Sequence, residues 1–249
     1  MNISMNYSKY RGILSDIIRT GRYCDFKEIE PDTSFIVLRH DVDFSPERAL
    51  IMGTIEALMG IKSSYYFQLT NNYYNSLSKK NLEIIEELKS MGHYIGIHYH
   101  LNGKKDHLEI KKDIENEIYI FSLKANIKPD RFSIHRPTPE VLKNEIVIPG
   151  VINTYGNLYF TFTDNYSDSI QMNVKYIADS ANKWKYGYPS RENLNKHSKI
   201  QLLIHPCTWS EEGYDDLENF RSLIREKNSE MLETIDSECE HFGLVKDLL

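Results

Sequence analysis

The chain has 249 residues, 41% of them hydrophobic, and a formal net charge of −6 from 30 Lys and Arg against 36 Asp and Glu. That length suits one large domain or two small ones, with enough apolar residues for a sizeable core. The charges are interspersed and no apolar run nears membrane-spanning length, so neither a nucleic-acid surface nor a membrane span is expected.

Cys24, Cys207 and Cys239 stand at no metal-ligand spacing and fit reduced thiols rather than a disulfide framework. Residues Met1 to Tyr10 lack a basic region followed by an apolar one. A soluble, cytoplasmic protein is therefore the expectation.

No repeat, low-complexity tract or linker interrupts the chain, so a single domain over 1–249 is expected. Leu14, Ile17 and Ile18 predict a short opening helix over about residues 5–20. Residues 35–39 read as the first strand. Pro46 to Gly60 reads as a helix, with Pro46 in its first turn, Leu50, Ile51, Ile55 and Leu58 inward, and Gly60 as the stop. Ser63 to Gln68 is the second strand. Ser78 caps a helix that turns Leu82, Ile85 and Leu88 inward and ends at Gly92. Tyr94 to His98 is the third strand, and Asp106 starts a long helix with Ile114, Ile118 and Phe121 at helical spacing. A further strand spans Arg131 to Ile134. Residues 150–178 are aromatic and irregular, with Tyr155, Tyr159, Phe160, Phe162 and Tyr166, until strand character returns at Val174–Ala178. Gln201 to Ile204 is the last strand. A closing helix over about 215–239 carries Leu217, Phe220, Ile224, Met231 and Ile235, expected to face inward.

Strands alternating with helices predict an α/β fold with a parallel sheet. The rhythm suits a closed or nearly closed (β/α) barrel, with a doubly wound open sheet as the alternative. No glycine-rich phosphate-binding motif is present.

Four strand-like runs end in residues that a metal hydrolase uses: Asp41 and Asp43 after the first, His98 and His100 after the third, His135 after the fourth, and His205 after the last. Four such endings predict one site at the C-terminal rim of the sheet. If the segment is extended, Asp41 and Asp43 point the same way. One can ligate a cation while the other takes a proton from water, although such a pair also suits a helix cap. His98 and His100 share a spacing that turns both rings to one side, and imidazole suits zinc and related ions. Asp43, His98 and His100 would make a three-ligand site with a position left open. His205 is placed to protonate a leaving group. Cys207, two residues beyond it, reads as a buried filler rather than a nucleophile.

Together these residues resemble the polysaccharide deacetylase superfamily of NodB homology, over about residues 35–210. The segment Arg39-His40-Asp41-Val42-Asp43 is similar to the family's Asp-pair motif, followed by the strand Ser63-Ser64-Tyr65-Tyr66-Phe67. Met91-Gly92-His93-Tyr94-Ile95-Gly96-Ile97-His98 resembles the motif that delivers a metal-binding His. His135-Arg136-Pro137-Thr138-Pro139 is similar to the one carrying an Arg and a Pro. Ile177-Ala178-Asp179-Ser180 with Trp184 is similar to an Asp-Ser motif with a nearby Trp, and Leu203-Ile204-His205-Pro206 to the last.

The resemblance implies a deformed (β/α) barrel and removal of an acetyl group, N-linked before O-linked, from a sugar or glycan precursor. It implies Asp41 as general base, Asp43 and His98 as metal ligands, His205 as general acid, Arg136 orienting the base and Asp179 tuning the acid. One divalent ion is expected, zinc first, with iron, nickel or cobalt as alternatives. The chain departs from the family pattern where Val42 separates the two Asp residues. It departs again where Asn102 stands four positions after His98 in place of a second His. His100 is expected to replace that ligand, with Asn102 and His135 as alternatives. Tyr155 and Trp184 are candidates for the substrate rim. These departures match an intracellular subgroup with His-Asp-x-Asp sequences. The alternative function is a catalytically silent carbohydrate- or protein-binding module.

Overall fold

The structure, a computed structural model, describes residues 4–162 and 173–244; Tyr166 lies outside them. Helix α1 (Tyr7–Thr20) starts where the Asn6 side chain accepts from the N–H of Lys9 and ends at Gly21, in the left-handed region with φ 66°. Both ends thus follow local capping chemistry.

Strand β1 (Phe35–Val42) is buried along its whole length, as a central strand covered on both faces must be. On one side it pairs in parallel with β2 (Ser64–Phe67), which pairs with β3 (Tyr94–His100), then β4 (Arg131–His135), then β5 (Ile152–Asn153). On the other side it pairs with β7 (Lys199–Ile204), which pairs with β6 (Lys175–Ala178). The result is one seven-stranded parallel sheet in the order β5-β4-β3-β2-β1-β7-β6.

The sheet is strongly rolled. Ser133 of β4 donates to Asp41 of β1 at 3.0 Å, although β2 and β3 stand between them. In a flat sheet, three spacings of about 4.8 Å would hold those strands roughly 14 Å apart. The architecture is therefore a deformed α/β barrel, open between β5 and β6, and not a doubly wound open sheet. Side chains bridge the opening: Gln201 of β7 donates to the carbonyls of Thr154 and Tyr159 at 2.8 and 2.7 Å. Phe26, Ile29, Phe35, Val37 and Val174 fill one end of the barrel. Beside them Arg131 Nη1 donates to Asp25 Oδ1 at 2.5 Å. Higher along β1, on the same inward face, come Arg39 and Asp41.

The helices pack outside. Helix α2 (Pro46–Leu58) and α3 (Lys79–Ser90) approach closely at Gly53, where a Cβ would run into Leu88. That contact and the buried Glu56 carboxylate together set the inward face of α2. Ile51 and Leu58, expected inward, are exposed, while Ala49, Met52, Ile55 and the Glu56 carboxylate are buried. Glu56 is satisfied there by His40 Nε2 at 2.6 Å, by Tyr65 OH at 2.8 Å, and by the hydroxyls of Tyr10 and Ser63. Helix α4 (His107–Ala125) covers β3 and β4 with Ile110, Ile114, Ile118 and Phe121. Two short helices, α5 (Pro139–Leu142) and α6 (Arg191–Lys196), were not evident in the sequence.

Helix α7 (Asp216–Glu238) corrects another expectation. Leu217, Phe220 and Ile224 are 61, 58 and 58% exposed, and Met231 and Ile235 are exposed as well. The buried face is Asn219, Ser222 and Leu223. The reason is Arg48 of α2, which is buried and needs polar partners. Its guanidinium donates to Asn219 Oδ1 (2.8 Å), Ser222 Oγ (2.7 Å), the Cys207 carbonyl (2.9 Å) and Glu226 Oε1 (2.9 Å from Nε). A buried guanidinium outranks apolar periodicity, because leaving it unpaired is the costlier choice.

Candidate active site

The C-terminal ends of β1, β3, β4 and β7 converge on a groove of about 1520 Å³. Its floor carries Asp41, Asp43, His98, His135 and His205. Asp43 lies just beyond β1, where the chain turns tightly and its N–H donates to the Asp41 carbonyl at 3.1 Å. Val42 is buried between them and its carbonyl accepts from Tyr74 OH at 2.7 Å. The two carboxylates bracket one ring: Asp43 Oδ1 is 3.1 Å from His98 Nε2, and Asp41 Oδ2 is 3.8 Å from His98 Nδ1.

Asp43 Oδ1, His98 Nε2 and His135 Nδ1 form a near-equilateral triangle. The edges are 3.1 Å from Asp43 to His98, 3.1 Å from Asp43 to His135 and 3.0 Å between the two imidazoles. Among the described residues this is the group of His, Cys and acidic side chains whose ligand atoms could share an ion. His100 stands apart. Its ring stacks on that of His135 at 5.1 Å, and its Nδ1 accepts the N–H of Asn102, a residue at φ 49°. Two residues further along β3, His100 is roughly 7 Å farther out along the strand than His98. His135, an alternative in the sequence, therefore takes the third corner in place of His100.

The hydrogen bonds fix the proton on His98. Asp41 is an acceptor from Arg39 Nη2 at 3.3 Å, so Ser133 gives it its one hydroxyl proton at 3.0 Å. Ser133 Oγ must then accept from His98 Nδ1, 2.7 Å away. With Nδ1–H engaged by Ser133, His98 Nε2 faces Asp43 and His135, able to donate to them when protonated and to ligate a cation when neutral. Burial disfavours charge on Asp43, yet the imidazoles of His135, His98 and His205 outweigh it and hold the carboxyl well below its usual range. A carboxylate oxygen and two imidazole nitrogens at these separations could hold one divalent cation. The Ser133 bond to the far nitrogen of His98 is the support such ligands commonly have.

Asp41 is held from behind by Arg39, which is fully buried. The guanidinium also donates to Tyr155 OH at 2.8 Å and to Thr154 Oγ1, and lies 4.6 Å from the Tyr155 ring centroid. Arg136, expected at the base, is exposed at the rim of the groove. Arg39 was missed although it sits two residues before Asp41, the spacing that puts both side chains on one face of a strand.

Across the groove, His205 Nδ1 is 2.6 Å from Asp179 Oδ1, and its Nε2 is 3.9 Å from Asp43 Oδ2. Asp179 is buried and also accepts from the His205 N–H (3.0 Å), Thr208 Oγ1 (3.0 Å) and Trp209 Nε1 (2.8 Å). Burial works against protonation of His205, but Asp179 beside it, with Asp43 and Asp41 farther off, pushes its pKa up to about 9. Cys207 lines the groove with a thiol that burial pushes well up, away from the thiolate a nucleophile needs. Tyr155 lines the groove. Trp184 instead packs against Tyr188 and Trp209, at 5.4 and 6.4 Å between ring centroids.

No protein-family model and no curated protein matches the sequence. The solved structures to which the chain is similar are carbohydrate esterases and polysaccharide deacetylases of family 4. One is the family 4 acetyl xylan esterase from Clostridium thermocellum in complex with a cobalt ion. It is 15% identical with a TM-score of 0.40, over 78% of this chain and 84% of that one. Another is the chitin deacetylase of the fungal pathogen Colletotrichum lindemuthianum, 12% identical with a TM-score of 0.39, over 77% and 81%. A third is a family 4 pseudoenzyme from Bacillus anthracis, 15% identical with a TM-score of 0.41, over 81% and 63%. Among the described residues no helix is long and apolar enough to cross a membrane.

Proposed function

We propose that this protein is a metal-dependent deacetylase that hydrolyses the acetamide of an acetylated amino sugar or glycan precursor in the cytoplasm. The observation that carries the reading is the triangle of Asp43 Oδ1, His98 Nε2 and His135 Nδ1 between a buried carboxylate and a histidine held protonated. A divalent ion on those three atoms, zinc first, would lower the pKa of a water and polarise a carbonyl. The roles of the chain's own groups follow from their placement. Asp41, held by Arg39 and Ser133, accepts the proton of the attacking water. His205, with Nδ1 on Asp179, presents Nε2–H to the departing nitrogen. Tyr155 and the aromatic rim offer faces for a sugar ring.

The test is acetate release from a panel of N-acetylated and O-acetylated sugars by protein reconstituted with zinc, iron, nickel or cobalt. Metal-dependent release, lowered on the order of 10² in Asp41→Asn and in His205→Ala, is the expected result. A protein that binds metal through the triangle and releases no acetate from any substrate would overturn the assignment.

A further inference from the structure

Two cations stand at the mouth of the groove with no carboxylate partner among the described residues. Among the described residues, Arg136 and Lys183 have no such partner, and both line the groove. The floor carboxylates do not supply one. Asp41 is taken by Arg39, and Asp43 lies among the imidazoles. The remaining carboxylate on the lining, Asp216, accepts from Asn182. Among the described residues the entrance therefore carries Arg136 and Lys183 against the one carboxylate of Asp216, on a chain whose net charge is −6.

The backbone at both places is unusual. Arg136 directly follows His135 and has φ 47°, in the left-handed region, although it precedes Pro137. A residue before proline is already restricted, and a non-glycine there costs on the order of 1–3 kcal/mol. Lys183 follows two consecutive left-handed residues, Ala181 at φ 55° and Asn182 at φ 56°. Strain of this kind persists where surrounding structure holds it, and it clusters at ligand clamps. Two strained turns, from opposite sides of the opening between β5 and β6, each deliver an uncompensated cation to one groove.

We infer that Arg136 and Lys183 form an anion subsite, and that the substrate is an acetylated sugar carrying a phosphate or diphosphate. The inference takes the sugar from the deacetylase reading and adds the anion. A planar guanidinium and a mobile ammonium suit phosphate oxygens, and a positive mouth raises the local concentration of an anionic ligand. Nucleotide-linked and isoprenoid-linked sugars share this chemistry.

The experiment measures binding and turnover separately on the metal-loaded full chain. Calorimetry compares N-acetylglucosamine 1-phosphate, its uridine diphosphate derivative and its diphosphate on a short isoprenoid alcohol with neutral N-acetylglucosamine and its trimer. The phosphorylated sugars are expected to bind at least about tenfold more tightly at low salt, with the advantage shrinking as ionic strength rises. That advantage should fall by about tenfold in Arg136→Gln with Lys183→Gln, and the tighter of the two diphosphates names the carrier. Each single exchange is measured too, so a double variant that failed to fold would not decide the matter. Equal affinity for charged and neutral sugars, or a preference unmoved by the substitutions, overturns the anion subsite even if acetate is released. A salt-sensitive preference lost in the variants, with no acetate released from any sugar, keeps the subsite and removes the deacetylase reading.

Discussion

Arg39 Nη2 and Ser133 Oγ grip the two oxygens of Asp41 from opposite sides, at 3.3 and 3.0 Å. One donor comes from two residues earlier on the same strand, the other from across the barrel. The carboxylate is thereby fixed in place beside the triangle of Asp43, His98 and His135 with its charge compensated. Arg39→Met should lower deacetylation by about 10² and, by leaving Asp41 buried and unpaired, destabilise the fold by roughly 3–5 kcal/mol. Initial rates beside urea denaturation check both. A variant with wild-type activity would remove Arg39 from the site's machinery.

The triangle makes a sharp distinction between two neighbouring histidines. His135→Ala should lose the bound ion, and His100→Ala should retain it, because only the first has a nitrogen within 3.1 Å of Asp43 Oδ1. Elemental mass spectrometry on the purified variants reads this directly. Metal lost from the His100 variant and kept in the His135 variant would reverse the ligand assignment.

How much of this was legible beforehand follows from the range of each signal. Strand alternation is local, so the inward face of β1 and the meeting of four strand ends could be read from residues 35–43, 98, 135 and 205. The third corner of the triangle was not legible. The choice between His100 and His135 depends on barrel curvature, which brings β4 across to β1. Arg39 was within reach, since its i, i+2 relation to Asp41 is the same relation that drew attention to Asp43. The outward faces of α2 and α7 were not, because they are set by buried charge. Apolar spacing cannot report that Glu56 and Arg48 each need polar partners inside.

Helix α7 offers the cleanest test of that last point. Ile224, though apolar and at helical spacing, is 58% exposed, so Ile224→Ala should change stability by no more than about 0.5 kcal/mol. Arg48→Met should destabilise by at least 2–3 kcal/mol, order of magnitude, since Asn219, Ser222 and Glu226 would all lose their shared donor. Thermal melting of the pair decides it. The opposite ranking would mean that α7 packs by its apolar face in solution.

Glu117 of α4 should give the fold a pH dependence of its own. Burial, with the like charge of Asp113 adding to it, raises its carboxyl to about 7, and its Oε2 has no hydrogen-bond partner. In the unfolded chain the same group titrates near 4.3. Between those values the folded state holds the proton more tightly than the unfolded state, so stability falls as pH rises through that window. Below it both states are protonated and the group is neutral in its effect; above about 7 the folded protein carries the full cost of a buried charge. Glu117→Gln keeps the shape and removes the titration. The variant should melt close to wild type at pH 5 and measurably higher at pH 8. A difference in melting temperature that is the same at both pH values would show that Glu117 titrates normally in the folded protein, with its carboxylate reaching water.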